Sequence, residues 1–258
     1  MSKDTRLGPS ADSAALASVA MWRLTADAVP GGWVDEREGA AAVFTGIQVG
    51  GFNGVWTTSR DVAPEVVDEL LERVAATGAP YSLHLREGRA DALERIARER
   101  GMILDSEEPV MILRDPALLE PALRSGAHIR QLGPDEGRVH AEVAAAVFGD
   151  DVEVAQAGAT PAILSAPGLR CYVSDVGGDA VATAMGVTHV GCVAVFAVAT
   201  LPQHRRRGYG SALTARAVID GFAAGAGWAW LQASAEGTGV YERLGFRAVE
   251  TVAVWTLG

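Results

Sequence analysis

Val198-Ala199-Thr200-Leu201-Pro202-Gln203-His204-Arg205-Arg206-Arg207-Gly208-Tyr209-Gly210-Ser211 is the stretch that decides the fold of this chain. It leaves an apolar, strand-like run over 191–200, crosses a short basic turn and enters a helical pattern over 210–224. A strand, a basic glycine-containing loop and a helix N-terminus, in that order, present backbone N–H groups to an anion. The helix dipole adds roughly half a positive charge at that end. Gly208 and Gly210 let the backbone approach a ligand with no Cβ in between. A pyrophosphate fits such a cradle. The loop is not a Walker motif, because no Gly-Lys-Ser/Thr follows. Nor is it a dinucleotide fingerprint, because its GxGxxG is incomplete and no N-terminal βαβ unit surrounds it. Two glycines and three arginines alone make a solvated turn, so the neighbouring sequence carries the weight.

Downstream, a strand over 228–233 is followed by Gly239-Val240-Tyr241-Glu242-Arg243-Leu244-Gly245-Phe246. With this second element the C-terminal half resembles the GNAT N-acetyltransferase superfamily. The family's signature is Q/R-x-x-G-x-G/A at the start of a helix after a splayed strand, then a Tyr on a later helix shortly before Gly-Phe. Arg205, Gly208 and Gly210 match the first part, and Tyr241 with Gly245-Phe246 the second.

The resemblance implies an acyl-CoA-dependent acyltransferase, with acetyl-CoA or another short acyl-CoA as co-substrate. The backbone amides of Arg206, Arg207, Gly208, Tyr209, Gly210 and Ser211 would hold the CoA pyrophosphate, beside Arg205. The backbone over Val198, Ala199 and Thr200 would face the pantetheine arm and the acyl carbonyl. Tyr241 would stand near the thioester sulfur. A phenol with a reference pKa of about 10 is protonated at neutral pH and could serve as general acid to the leaving thiolate. The chain departs from the family where many members carry an Asn before the Tyr helix. Here the segment is Gln232-Ala233-Ser234-Ala235-Glu236-Gly237-Thr238, in which Ser234 could replace some of that hydrogen bonding.

The rest of the chain reads as a second copy of the same order. Residues 1–12 are polar and read as frayed. A helix is expected over 13–28, strands over 39–45 and 54–58, a helix opened by Pro64 and closed by Gly78, a strand over 81–85, a helix over 90–100 and a strand over 110–113. Arg114–Gly126, with Pro116, Pro121 and Ser125, reads as a boundary. Beyond it come a strand over 128–132, helices over 136–148 and 152–164, and strands over 169–174, 180–187 and 191–200. The last elements are the helix over 210–224, the strand over 228–233, a short helix over 239–244 and a strand over 247–257. Val198 to Gly245 spans 47 positions and Val55 to Gly101 spans 46. The fold class expected is therefore α/β with mixed sheets, mostly antiparallel and flanked by helices. Two GNAT-like domains are expected, over 1–120 and 125–258. In the first, Thr57–Pro64 lacks the RxxGxG pattern, Asp61 would repel a pyrophosphate, and Ala97 stands about where Tyr241 would. That half is expected to keep the scaffold without the cofactor, and either to shape the acceptor pocket or to act as a stabilising partner.

Composition sets outer limits. Across 258 residues the net charge is −10 and the basic residues form no long run, which argues against nucleic acid as a partner. The two cysteines form no CxxC pair, so no metal site is expected and a reducing, cytoplasmic setting fits. Apolar runs are too short to span a bilayer, so no membrane partner is expected. A homodimer is left open. The partner expected is a small-molecule amine or a protein amine, which must attack unprotonated. Glu153, His189 and Glu236 are the candidate bases, each also readable as a surface residue, and Asp150-Asp151-Glu153 would favour a cationic acceptor if it lined the cleft. A non-catalytic acyl-CoA sensor on the same fold is the alternative.

Overall fold

A computed structural model of the chain describes residues 8–88, 91–123 and 128–257. Residues 1–7 of the expected frayed start, Ala90 at the start of the expected third helix and 124–126 of the expected boundary lie outside the described residues. In chain order the elements are α1 (Ala11–Ala28), β1 (Trp33–Arg37), β2 (Ala40–Phe44), β3 (Gly54–Thr57), α2 (Pro64–Ala75), β4 (Ser82–Arg86), α3 (Asp91–Glu99) and β5 (Met102–Leu113). Then follow α4 (Glu120–Leu123), β6 (His128–Gln131), α5 (Gly137–Phe148), α6 (Val152–Ala157), α7 (Pro161–Leu164), β7 (Leu169–Val176), β8 (Asp179–His189) and β9 (Cys192–Thr200). The chain ends with α8 (Tyr209–Ala223), β10 (Ala229–Gln232), α9 (Thr238–Arg243) and β11 (Arg247–Leu257).

Three expectations need correction. The strand read over 39–45 is the second arm of a hairpin, whose first arm, β1, pairs Arg37 with Ala40 across a tight turn. The polar Asp35, Glu36 and Arg37 concealed that arm, because only its first residues pack inward. The helix read over 152–164 is two helices. Gly158 caps the first, Thr160 accepts a hydrogen bond from Ile163 N–H, and Pro161 sits in the first turn of the second. The strand read over 110–113 begins at Met102, and the acidic run inside it is largely exposed.

The chain divides into two compact units that are not continuous in sequence. The N-terminal unit holds Ser10–Val110, Gln232–Glu236 and Ala248–Gly258. Its strands lie in the order β1-β2-β3-β4-β11-β5. Neighbours are antiparallel from β1 to β3 and parallel between β3 and β4, and β11 is antiparallel to β4. Side chains alternate across β2. Ala40 and Ala42 join the core that includes Leu70, Leu71, Leu83, Leu85 and Trp255, whereas Ala41 and Val43 join Val19, Ala26 and Trp56. Helices α2 and α1 therefore cover opposite faces. Each large aliphatic side chain so buried contributes about 1.5–3 kcal/mol.

The C-terminal unit holds Met111–Leu231 and Gly237–Arg247. Its strands run β6-β7-β8-β9-β10, antiparallel up to β9 and parallel between β9 and β10. Helix α8 lies close on one face. A Cβ added at Gly221 would come within 2.6 Å of Val193 Cβ, so the missing side chain is what lets α8 settle on β9. Helix α5 packs on the other face, where its buried His140 meets Thr183 of β8. Each unit is thus a mixed sheet flanked by helices.

Candidate acyl-CoA site

The site forms where β9 gives way to α8. β9 pairs with β8 in register from Cys192 to Phe196, after which the register shifts: Met185 faces Phe196, but Thr183 faces Ala199. Two residues of β9, Ala197 and Val198, stand opposite Ala184 alone, which makes a bulge. Ala197 carries a φ of 50°, in the left-handed region that a non-glycine residue rarely enters. On its other side β9 pairs with β10 only at Val193–Ala229 and Ala194–Trp230. Beyond Ala194 no further pair with β10 follows among the described residues, so the backbone from Val195 to Thr200 has no strand partner on that side. Nothing in the apolar run over 191–200 signals this bulge, since Phe196-Ala197-Val198 reads as uninterrupted strand.

A single 3-10 turn, Pro202–His204, then leads to the arginines. Arg206 has φ 61° and Gly208 φ 85°, and Gly208 is the N-cap of α8 without any side-chain cap. Alternating left-handed residues turn successive N–H groups to one side. The first backbone bond of α8 runs from Ala212 N–H to Gly208 O. Among the described residues, the amides of Arg206 through Ser211 meet no acceptor. A 15-residue helix adds its dipole at the same point. Arg206 and Arg207 are exposed and form no ion pair among the described residues. Arg205 points back, its Nε–H donating to Thr200 O at 3.3 Å. The donor set is therefore six consecutive amides, two unpaired guanidinium groups and a helix N-terminus, which suits a pyrophosphate.

Tyr241 lies on α9 in the same unit. Its ring meets Phe246 edge-on at 6.1 Å, and its carbonyl accepts from Phe246 N–H at 3.0 Å. The Gly-Phe pair after the helix thus fixes the Tyr. Its hydroxyl has no partner among the described residues, and burial pushes its pKa up to about 12.

The candidate bases lie on separate elements. Glu153 on α6 is exposed and faces Arg138 at 3.8 Å. His189 ends β8 at the hairpin turn, where its carbonyl accepts from Cys192 Sγ–H. Glu236 and Ser234 belong to the other unit. Burial pushes both cysteine thiols up to about 12, so neither is a nucleophile at neutral pH. Among the described residues no group of three or more His, Cys, Asp or Glu could hold a metal, and no helix is long and apolar enough to cross a membrane.

Residues 167–248, which run from just before β7 into β11, match the family model described as an acetyltransferase (GNAT) domain. Over these residues the chain is thereby similar to GNAT acetyltransferase domains. The fold agrees over almost the whole chain with a GCN5-related N-acetyltransferase from Kribbella flavida, at 22% identity, 95% of each chain and a TM-score of 0.71. A GCN5-related N-acetyltransferase-like protein from Streptococcus suis superposes with a TM-score of 0.61, at 14% identity over 95% of this chain and 99% of that one. A tandem GNAT protein from the clavulanic acid biosynthesis pathway does so with a TM-score of 0.54, at 16% identity over 93% and 94%. No curated protein matches the chain.

Proposed function

We propose that this chain is an acyl-CoA-dependent N-acyltransferase that moves an acetyl or other short acyl group to an amine, with its single acyl-CoA site in the C-terminal unit. The observation that carries the reading is the row of unpaired amides from Arg206 to Ser211 at the start of α8, directly after a bulged strand whose last pair with β10 is at Ala194. Those amides would hold the pyrophosphate, with Arg206 and Arg207 adding charge. The backbone of Val198, Ala199 and Thr200 would line the arm that runs along that side of β9. When bound, acyl-CoA supplies the activated acyl carbon and the thiol leaving group.

Tyr241 would be the general acid. Its phenol is protonated throughout the neutral range, and its hydroxyl is free to donate. A thiol near 8.5 lies about 3.5 units below a phenol at about 12, a gap of roughly 5 kcal/mol for full transfer. The burial that raises the phenol also raises a thiolate beside it, which narrows that gap. Tyr241 therefore begins as a hydrogen-bond donor to the developing sulfur charge and delivers the proton as the C–S bond opens.

We also propose the tandem division, with a first copy over 1–120 that has lost its site and a second over 125–258, the final strand being placed in the N-terminal unit. The corresponding strands β3 and β4 stay paired as far as Trp56 and His84. Thr57 Oγ1 then bridges them, donating to His84 O and accepting from Arg86 N–H. The amides of Thr58 and Ser59 are both taken by Gly39 O, and Arg86 donates to Thr58 O at 2.7 Å. The amides of Thr58, Ser59 and Asp61 in that loop are therefore paired, unlike the corresponding row from Arg206 to Ser211.

Calorimetric titration with acetyl-CoA, followed by a panel of small amines and lysine peptides with thiol release as readout, tests the reading. One molecule bound per chain with amine-dependent thiol release is expected. Binding with no thiol release from any amine would favour a sensor, and no binding would remove the site.

A further inference from the structure

Among the groups not used above, one buried titratable side chain reaches the strands that carry the bulge. His140 of α5 is 4% exposed, and its Nδ1 lies 2.7 Å from Thr183 Oγ1. Thr183 Oγ1 also lies 3.0 Å from Tyr172 O, which can only accept; with the hydroxyl proton on that carbonyl, Thr183 accepts from His140. The ring proton is therefore on Nδ1, and the lone pair is on Nε2. Among the described residues Nε2 has no hydrogen-bond partner. Thr183 is paired with Ala199, the first residue past the bulge. Paired residues of antiparallel strands share a face, so Ala199 borders the face on which His140 sits.

We infer that His140 is the proton acceptor of the acyl transfer, its Nε2 taking the proton that the acceptor amine gives up. The inference rests on the acyltransferase reading above. The amine nitrogen forms the new C–N bond as the C–S bond of the thioester breaks. The surplus proton on nitrogen goes to Nε2, and the sulfur takes one from Tyr241. Exchange with solvent then returns the imidazolium and the phenolate to their starting states, leaving amide and free thiol. Thr183 is a positioning residue: it fixes the tautomer and would stay hydrogen-bonded to Nδ1–H in the imidazolium.

Burial holds the free imidazole at about 4, so the lone pair is available at neutral pH. The titratable groups on the elements packed against α5 do not compete for the role. Cys171 of β7, paired in register with Met185, stays protonated, as does Cys192 of β9. Glu136, just before α5, is tied to Arg130 and to Gly133 N–H, and Glu153 on α6 faces Arg138. A general base contributes about 10²–10⁴-fold.

The test joins a spectroscopic and a kinetic readout on the full chain. Long-range ¹H–¹⁵N spectra should show His140 as the Nδ1–H tautomer, and an Nε2–H tautomer would overturn the inference. His140→Gln should bind acetyl-CoA as the wild type does but release thiol about 100-fold more slowly with the amines of the panel. Thr183→Val keeps the imidazole. It should lose the pure Nδ1–H tautomer and lower kcat about 10-fold with an unchanged KM for acetyl-CoA. Undiminished kcat in either variant overturns the role of His140 alone. Failure of the wild type to bind acetyl-CoA overturns the acyltransferase reading and this inference with it, a result that titration separates from the others.

Discussion

Gly210 of α8 stands directly against Thr200 of β9: a Cβ added at Gly210 would lie 3.4 Å from Thr200 Oγ1 and 3.7 Å from Val198 Cγ1. The start of the helix is thereby held to the end of the strand at van der Waals distance. This contact places the unpaired amides beside the end of β9, past its last pair with β10.

Gly210→Val should therefore cut acetyl-CoA affinity at least 10-fold while the fold persists. A Cβ already reaches van der Waals contact there, so the two methyl groups of valine beyond it press on Thr200 and Val198 and are expected to shift the first turn, which carries the amides. The test by titration is cleaner here than at Gly208. Gly208 has φ 85°, so any side chain there also adds about 1–2 kcal/mol of backbone strain. Full affinity in Gly210→Val, with an unchanged melting temperature, would remove the cradle from the site.

Tyr241→Phe should keep both the fold and acetyl-CoA affinity, because the edge contact with Phe246 does not involve the hydroxyl. Thiol release should fall about 100-fold or more. In the wild type, kcat/KM should show no alkaline limb from this phenol below about pH 10, since its pKa stands near 12. A limb near pH 8 that disappears in Tyr241→Phe would contradict the environment described for the ring.

The motifs on which the site reading rests were legible in residue order. Arg205-x-x-Gly208-x-Gly210 and Tyr241 with Gly245-Phe246 are local signals, because each depends on what a short backbone segment can do. The bulge at Ala197 was not legible. It is a misregister between two strands, set by β8 as much as by β9, and no residue type in Phe196-Ala197-Val198 demands it. His140 was equally silent: one histidine among the Ala and Val of a buried helix face has meaning only once Thr183, 43 positions later, is found against it. The placement of β11 in the N-terminal unit is likewise a matter of pairing. Its alternating pattern fits any sheet with a vacant neighbour.

Stability should depend on pH through His140. Burial lowers its pKa from 6.5 to about 4, so between these values the unfolded chain binds a proton that the folded chain refuses. Stability rises with pH through that window and is lost as the pH falls from 6.5 toward 4. A gap of this size amounts to about 3 kcal/mol. Urea titrations at pH 4.5 and pH 7 should show a smaller difference for His140→Gln than for the wild type. Equal differences would mean that His140 is hydrated in the folded state.

The last prediction concerns the loop of the N-terminal unit that corresponds to the cradle. Arg86 and Glu250 are 2% and 5% exposed, and Arg86 Nε–H donates to both Glu250 carboxylate oxygens at 3.2 and 3.0 Å. Arg60 adds a bond to the same carboxylate at 3.1 Å, and Asp12 receives another from Arg86 at 2.6 Å. Removing one member takes away the best partner of a buried charge and leaves only Asp12 beside Arg86, or only Arg60 beside Glu250, at a cost of up to about 3–5 kcal/mol. Glu250→Ala should therefore lower the melting temperature by on the order of 10 °C. Arg86→Met combined with Glu250→Leu should lose less, because an apolar pair of similar volume leaves no orphaned charge. Both variants should still bind one acetyl-CoA per chain, since the cradle from Arg206 to Ser211 lies in the other unit. A second molecule bound by Glu250→Ala would show that the Arg86–Glu250 pair had been closing a working site.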